Sequence, residues 1–157
     1  MEESIIALKA GKDKDMKDQE DLLTLAMSGR VLTSDRLKTY SPLSFAYIGD
    51  AVFELLVRTM IVTRGNTKAS RYHHEAIRYV NAKAQADLAG AILPELNDEE
   101  MKIYRRGLNA KPATTAKNQT KKDYRKATAL ETLIGYLYLR GDNERILSLL
   151  QMGFGIE

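Results

Sequence analysis

The sequence predicts an all-α fold, a single helical domain, on three observations. Apolar residues recur at three- and four-residue spacings through most of the chain, and no stretch alternates as a strand would. Only three prolines occur, and each stands where a helix can begin or end. At 157 residues, 44% hydrophobic and 29% charged, the chain is long enough to bury one core and too apolar to be disordered.

The elements follow in order. Residues 1–40 suggest a weakly marked helical extension, with short helices around Ser4–Ala10 and Lys17–Ser28, ahead of a main domain spanning 41–157. Ser41 followed by Pro42 is an N-cap with proline at the first helical position. It opens a helix of about twenty residues that ends near Gly65. Ile77, Val80, Ala84, Leu88 and Ala91 keep helical spacing, so Lys68 to Leu93 reads as one long helix stopped by Pro94. Asn97 caps a third helix whose first turn carries Asp98, Glu99 and Glu100, where the helix dipole favours acids. A polar loop, "NAKPATTAKNQTKKD", runs from Asn109 to Asp123. A fourth helix from about Tyr124 to Leu139 carries Ala127, Leu130, Ile134 and Leu137, with Tyr136 and Tyr138 read as packing residues. Gly141-Asp142 breaks it, and Asn143 to Met152 forms a short last helix.

Composition narrows the setting. The absence of cysteine excludes disulfides and thiolate zinc sites and fits a reducing compartment. The N-terminus has neither the basic start nor the apolar run of a secretory signal. The most apolar helix is interrupted by Asp50, Glu54 and Arg58, well short of the roughly 18 uncharged residues a membrane span needs. The expectation is a cytoplasmic protein with no membrane partner.

The net charge of +3 says little by itself, but it is unevenly distributed. Between Met101 and Lys126 nine basic residues (Lys102, Arg105, Arg106, Lys111, Lys117, Lys121, Lys122, Arg125 and Lys126) face a single acid, Asp123. Residues 2–21 hold seven acids and four lysines. A local basic excess of this kind favours a polyanion, because each phosphate neutralised releases condensed counterions. The same lysines would also keep a solvated loop soluble, and composition does not separate RNA from DNA.

The carboxylates raise a sharper question. "YIGDAVFELL" puts Asp50 after Gly49 in what reads as a buried, apolar helix, where an unpaired charge costs several kcal/mol. Glu54, four residues on, shares its face. Gly49 costs about 1 kcal/mol against alanine in a helix, and its use there makes room for a neighbouring backbone or ligand. Glu131 repeats the pattern in "TALETLIGYLYL", with Gly135 one turn later. If both helices enter the core, Asp50 and Glu131 can face each other, and two such acids repel unless a positive group lies between them. A hard divalent cation with oxygen ligands, Mg²⁺ or Mn²⁺, suits that position. Arg58, a backbone N–H or a tyrosine hydroxyl would also satisfy a buried acid, so on chemistry alone both readings stay open. No phosphate-binding glycine loop, HExxH or nucleophile elbow competes. The adjacent His73-His74 pair points in different directions on a helix and reads as a surface or RNA-contacting pair rather than a metal site.

At these residues the chain resembles the ribonuclease III family. "AYIGDAVFELLV" is similar to the family's signature helix, whose pattern runs Leu-Glu-Phe-Leu-Gly-Asp-x-Val-Leu. "YVNAKAQADLA" is similar to its next segment, and "TALETLIGYLYL" to its second acidic helix, in the same order and spacing. The "RRGLNAKPATTAKN" loop, "YRKATALETLIGYLYL" and the lack of a following double-stranded RNA-binding module resemble mini-ribonuclease III, the short branch that is a bare catalytic domain. The resemblance spans roughly Ser41 to Leu150.

The resemblance implies a homodimeric endoribonuclease that takes double-stranded RNA into a valley and uses Mg²⁺, with Mn²⁺ as a possible substitute. Its branch points to maturation of ribosomal RNA, the 23S precursor. It assigns Asp50 and Glu131 as catalytic, metal-holding acids. Two acids of the wider family are missing, because their positions hold Ala46 and Thr128, and the short branch shares that reduced set. Glu54 is the candidate supporting acid. Lys83, Arg105, Arg106, Lys111, Lys117, Lys121, Lys122 and Arg125 are the candidate RNA contacts. The alternatives are a non-catalytic helical RNA-binding dimer and a helical scaffold with a satisfied acid pair.

Overall fold

A computed structural model describes residues 21–110 and 121–154. The elements are α1 (Leu22–Ala26), α2 (Ser34–Leu37), α3 (Pro42–Val62), α4 (Ala69–Ile77), α5 (Ala82–Ile92), a 3-10 turn (Leu93–Glu95), α6 (Asp98–Leu108), α7 (Lys121–Leu139) and α8 (Asn143–Gly153). The described residues contain no strand.

Helix α7 forms the centre of the fold. Ala127–Leu130 and Thr132–Tyr138 are buried along it, and α3, α5, α6 and α8 all pack against it. Phe45 and Phe53 from α3 meet Leu130, Leu133 and Leu137 from α7 in one continuous core. Each such side chain contributes about 1.5–3 kcal/mol when removed from water. Tyr136 and Tyr138 are buried, as their spacing predicts. Tyr136 lies edge-on to Phe45 with centroids 5.6 Å apart.

The cap signals act as expected. The Ser41 hydroxyl accepts from the Ser44 amide at 3.2 Å, and Pro42 opens α3. Asn97 and Glu100 form a reciprocal capping box at 2.8 and 3.0 Å. Gly141, at φ +83°, ends α7 with the paired closing bonds of a Schellman turn: Gly141 N–H to the Tyr138 carbonyl (2.9 Å) and Asp142 N–H to the Leu137 carbonyl (2.8 Å).

Three boundaries differ from the sequence reading. Lys68–Leu93 is two helices, α4 and α5, separated at Arg78–Asn81. Asn81 is the cause: its carboxamide oxygen caps the Ala84 amide at 2.9 Å, while its nitrogen donates to the Ile77 carbonyl at 2.7 Å. Helix α7 is already helical at Lys121, the first described residue after 110, ahead of the start expected near Tyr124, since lysines are good helix formers and the polar run concealed this turn. In the leading segment the expected Lys17–Ser28 helix is described only as Leu22–Ala26, and α2 appears without having been expected. The expected Ser4–Ala10 helix lies outside the described residues. Met27 and Leu37 enter the main core, and the Leu32 amide donates to the Leu139 carbonyl at 3.0 Å.

Two ion-pair clusters fasten α6 to the C-terminal part of the chain. Glu100 is 2% exposed, and both its oxygens accept from Arg145 at 2.8 Å. These bonds hold its carboxyl below the usual carboxylate range, against the opposing effect of burial. Arg140 donates to Glu99 at 2.9 Å, and the Tyr136 hydroxyl donates to the same carboxylate.

Candidate active site

The site is built on a crossing of α3 and α7 that only glycine permits. A Cβ on Gly49 would lie 1.8 Å from the backbone oxygen of Glu131, and one on Gly135 would lie 1.8 Å from that of Phe45. The two backbones are therefore in direct contact, each glycine seated on the other helix. This contact brings Asp50, the residue after Gly49, against Glu131. The close neighbour implied by Gly49 is thus the helix that carries the second acid.

The two carboxyls interact directly. Glu131 is partly buried, and its carboxyl is pushed up to about 7, first by burial and then by the charge of Asp50, with a carboxyl–carboxyl hydrogen bond adding to the rise. A hydrogen bond from the Gln85 Nε2 to Glu131 Oε1, at 3.2 Å, acts in the opposite direction. Asp50 differs from the sequence reading in one respect: it is exposed, not buried. An apolar run on a helix does not reveal which side meets solvent, and Tyr47, one turn earlier, is 85% exposed. The pair lies at the rim of the core, open to a ligand from outside.

The other expected acid is placed differently. Glu54 is bound to Arg58 on the same helix, with Arg58 Nε donating at 3.0 Å. Among the described residues no third histidine or acid joins Asp50 and Glu131 to form a metal cluster. Ala46 and Thr128 are both buried. The residue that sequence reasoning missed is Gln85, from α5. Its only signal was a polar residue at an inward position on an otherwise small, apolar helix face.

The basic residues divide into two groups. Lys83, Arg105, Lys121 and Lys122 are exposed, with Lys83 paired to Asp87 at 3.3 Å. Arg106 and Arg125 are tied to backbone. Arg106 donates to the Tyr40 carbonyl at 2.8 Å and lies 6.0 Å over the Phe45 ring. Arg125 donates to the Leu108 carbonyl at 2.8 Å and to Asn109 Oδ1 at 3.2 Å, joining the end of α6 to α7. Lys111 and Lys117 lie outside the described residues. His73 and His74 are exposed. No helix among the described residues is long and apolar enough to cross a membrane.

The Ribonuclease III domain profile matches residues 43–142, a span that contains Asp50, Gln85 and Glu131. Mini-ribonuclease 3 of Brevibacillus brevis is 45% identical over 130 residues, covering 83% of this chain and 96% of that protein. Mini-ribonuclease 3 of Staphylococcus aureus is 42% identical over 118 residues, covering 74% and 88%. The chain belongs to the ribonuclease III family. Family membership makes it an endoribonuclease. A crystal structure of a Fusobacterium nucleatum protein superposes with a TM-score of 0.69 at 31% identity, over 76% of this chain and 95% of that one. The all-helical architecture is therefore shared with a solved fold, and the signature-helix resemblance falls within the matched span.

Proposed function

We propose that this endoribonuclease cleaves structured double-stranded RNA with a divalent cation, Mg²⁺ or in its place Mn²⁺, held by Asp50 and Glu131. The observation that carries this reading is the meeting of those two carboxylates at the Gly49–Gly135 crossing. The donor set fits a hard cation. It consists of carboxylate oxygens alone, and burial, followed by the like charge of Asp50 beside it, raises the Glu131 carboxyl to about 7. A bound cation would polarise the attacking water and the scissile phosphate. The protein's part is to hold the two carboxylates together on rigid helices and keep one side open. Water and phosphate oxygens would complete the shell of such a cation, since Glu54 is engaged by Arg58.

The exposed lysines support a duplex substrate. Lys121 and Lys122, on the helix that bears Glu131, and Lys83, on the helix that bears Gln85, are exposed and would offer charge to RNA phosphates. Lys111 and Lys117 extend that charge along the sequence, and Arg105 adds to it. Arg106 and Arg125 act mainly by holding α6 and α7 in place.

The working form in this reading is a homodimer. Leu43, Tyr47, Ala51 and Leu55 recur every fourth residue along α3 and are all exposed, an apolar stripe that a monomer would leave in water. A second copy of the same stripe would cover it and set two acid pairs on either side of the seam. The ribosomal substrate, a 23S precursor, and a cytoplasmic setting rest on the resemblance to the short branch.

The test uses labelled duplex RNA and single-stranded RNA of the same sequence. Internal cleavage of the duplex alone, lost in chelator and restored by Mg²⁺ or Mn²⁺, is expected. Cleavage that continues in chelator would contradict the reading, as would RNA binding with no metal-dependent cleavage.

A further inference from the structure

Helix α5 buries Ala82, Gln85, Ala86, Leu88, Ala89 and Ile92, and Gln85 is the one polar side chain in that set. A buried carboxamide costs free energy unless its groups are satisfied, so its position on an alanine face packed against α7 needs a reason. Its Nε2 donates to Glu131 Oε1 at 3.2 Å, and the residue is 5% exposed. Its Oε1 accepts no hydrogen bond from the described residues, yet it is not a sealed, unsatisfied atom. The small residues around it let α5 lie close enough to α7 for the amide to reach the acid. The Asn81 cap fixes the first turn of α5 and therefore the height of Gln85 along α7.

We propose that Gln85 is a positioning residue of the active site: it fixes the rotamer of Glu131 toward Asp50 and offers its carboxamide oxygen to a water of the bound cation. The inference rests on the proposed metal role of Asp50 and Glu131. It concerns a third helix that neither acid occupies. Each of those acids leaves one carboxylate oxygen or more for a cation, and a carboxylate that turns freely would hold a cation poorly. Gln85 occupies one oxygen of Glu131, Oε1, and leaves the other for a cation. Ala46 and Thr128 supply no carboxylate to restrain the pair, so the restraint comes from α5. Outer hydrogen bonds of this kind are worth about 10–100-fold in metal affinity or activity.

The test is Gln85→Met, which keeps length and apolar packing while removing the amide. Mn²⁺ binding to the RNA-free protein is titrated by electron paramagnetic resonance, beside native protein and Glu131→Gln. The proposal predicts a Kd for Mn²⁺ raised about 10–100-fold in Gln85→Met, a lowered kcat that excess Mn²⁺ restores, and unchanged affinity for duplex RNA in chelator. Gln85→Asn, one methylene too short to reach Glu131, carries the same prediction if the methionine variant does not fold. Native Mn²⁺ affinity and kcat in either folded variant, with Mn²⁺ binding lost in Glu131→Gln, would overturn the role of Gln85 and leave the acid pair intact. Native Mn²⁺ affinity in Glu131→Gln would overturn both.

Discussion

Replacing Glu131 with glutamine should make the metal-free protein more stable at neutral and alkaline pH. Folding moves the carboxyl from 4.5 to about 7, chiefly through burial and then through Asp50. A carboxyl whose pKa rises on folding holds its proton more tightly in the native state, so its ionised form works against the fold. The cost is absent well below pH 4.5, grows as pH rises toward 7, and is complete above that. At about 1.4 kcal/mol per pH unit the ceiling is roughly 3 kcal/mol, and partial exposure brings the expected gain to roughly 2–3 kcal/mol. In a chain of this size that is roughly 5–10 °C in Tm at pH 8. At pH 5 the difference should shrink to under about 1 kcal/mol. Thermal unfolding followed by circular dichroism in chelator, at both pH values, measures it. A gain of equal size at pH 5 and pH 8, or none at pH 8, would refute the electrostatic account of the pair. Added Mg²⁺ should then raise the Tm of the native protein and not that of the variant.

Gly49→Ala should destabilise the fold by about 3 kcal/mol or more, because its Cβ would meet backbone rather than a yielding side chain, and denaturant melts would show it. Glu100→Gln should cost about 2–3 kcal/mol above pH 5 by leaving Arg145 without its charge partner. Since the Glu100 carboxyl lies below its ordinary value, this contribution is present above about pH 4.5 and lost as pH falls through the lowered value. Exchanging Lys117, Lys121 and Lys122 for glutamine should weaken duplex binding and flatten its salt slope by roughly one for each phosphate no longer neutralised. An unchanged slope in gel-shift titrations would remove these lysines from the interface. Tyr47→Asp with Leu55→Lys should halve the mass found by sedimentation velocity, and a native protein already monomeric would contradict the proposed dimer.

Much of the scaffold was legible because its signals are local. Ser41-Pro42, the Asn97–Glu100 box and Gly141 each act within one turn, and a single sequence contains everything they need. The acid pair was legible for a similar reason: a glycine within one turn of a carboxylate in an apolar helix is a costly choice, and it occurs twice. The break between α4 and α5 was missed because Ile77 and Val80 continue the helical period across it, although Ile77 proves exposed and Asn81 carried a cap signal. Gln85 was out of reach, since its meaning depends on a partner 46 residues away. The Glu100–Arg145 pair spans 45 residues and was hidden for the same reason. Helical spacing also misjudged the exposure of Asp50, because a periodic pattern orders the faces of a helix without saying which neighbour covers them.

The central claim is that Asp50 and Glu131 together hold the cation that drives cleavage. Single-turnover cleavage of duplex RNA in Mg²⁺, measured for Asp50→Asn and Glu131→Gln beside native protein, tests it most directly. The account predicts that each variant loses cleavage while binding the duplex as tightly as native protein. A native cleavage rate in either folded variant would contradict it.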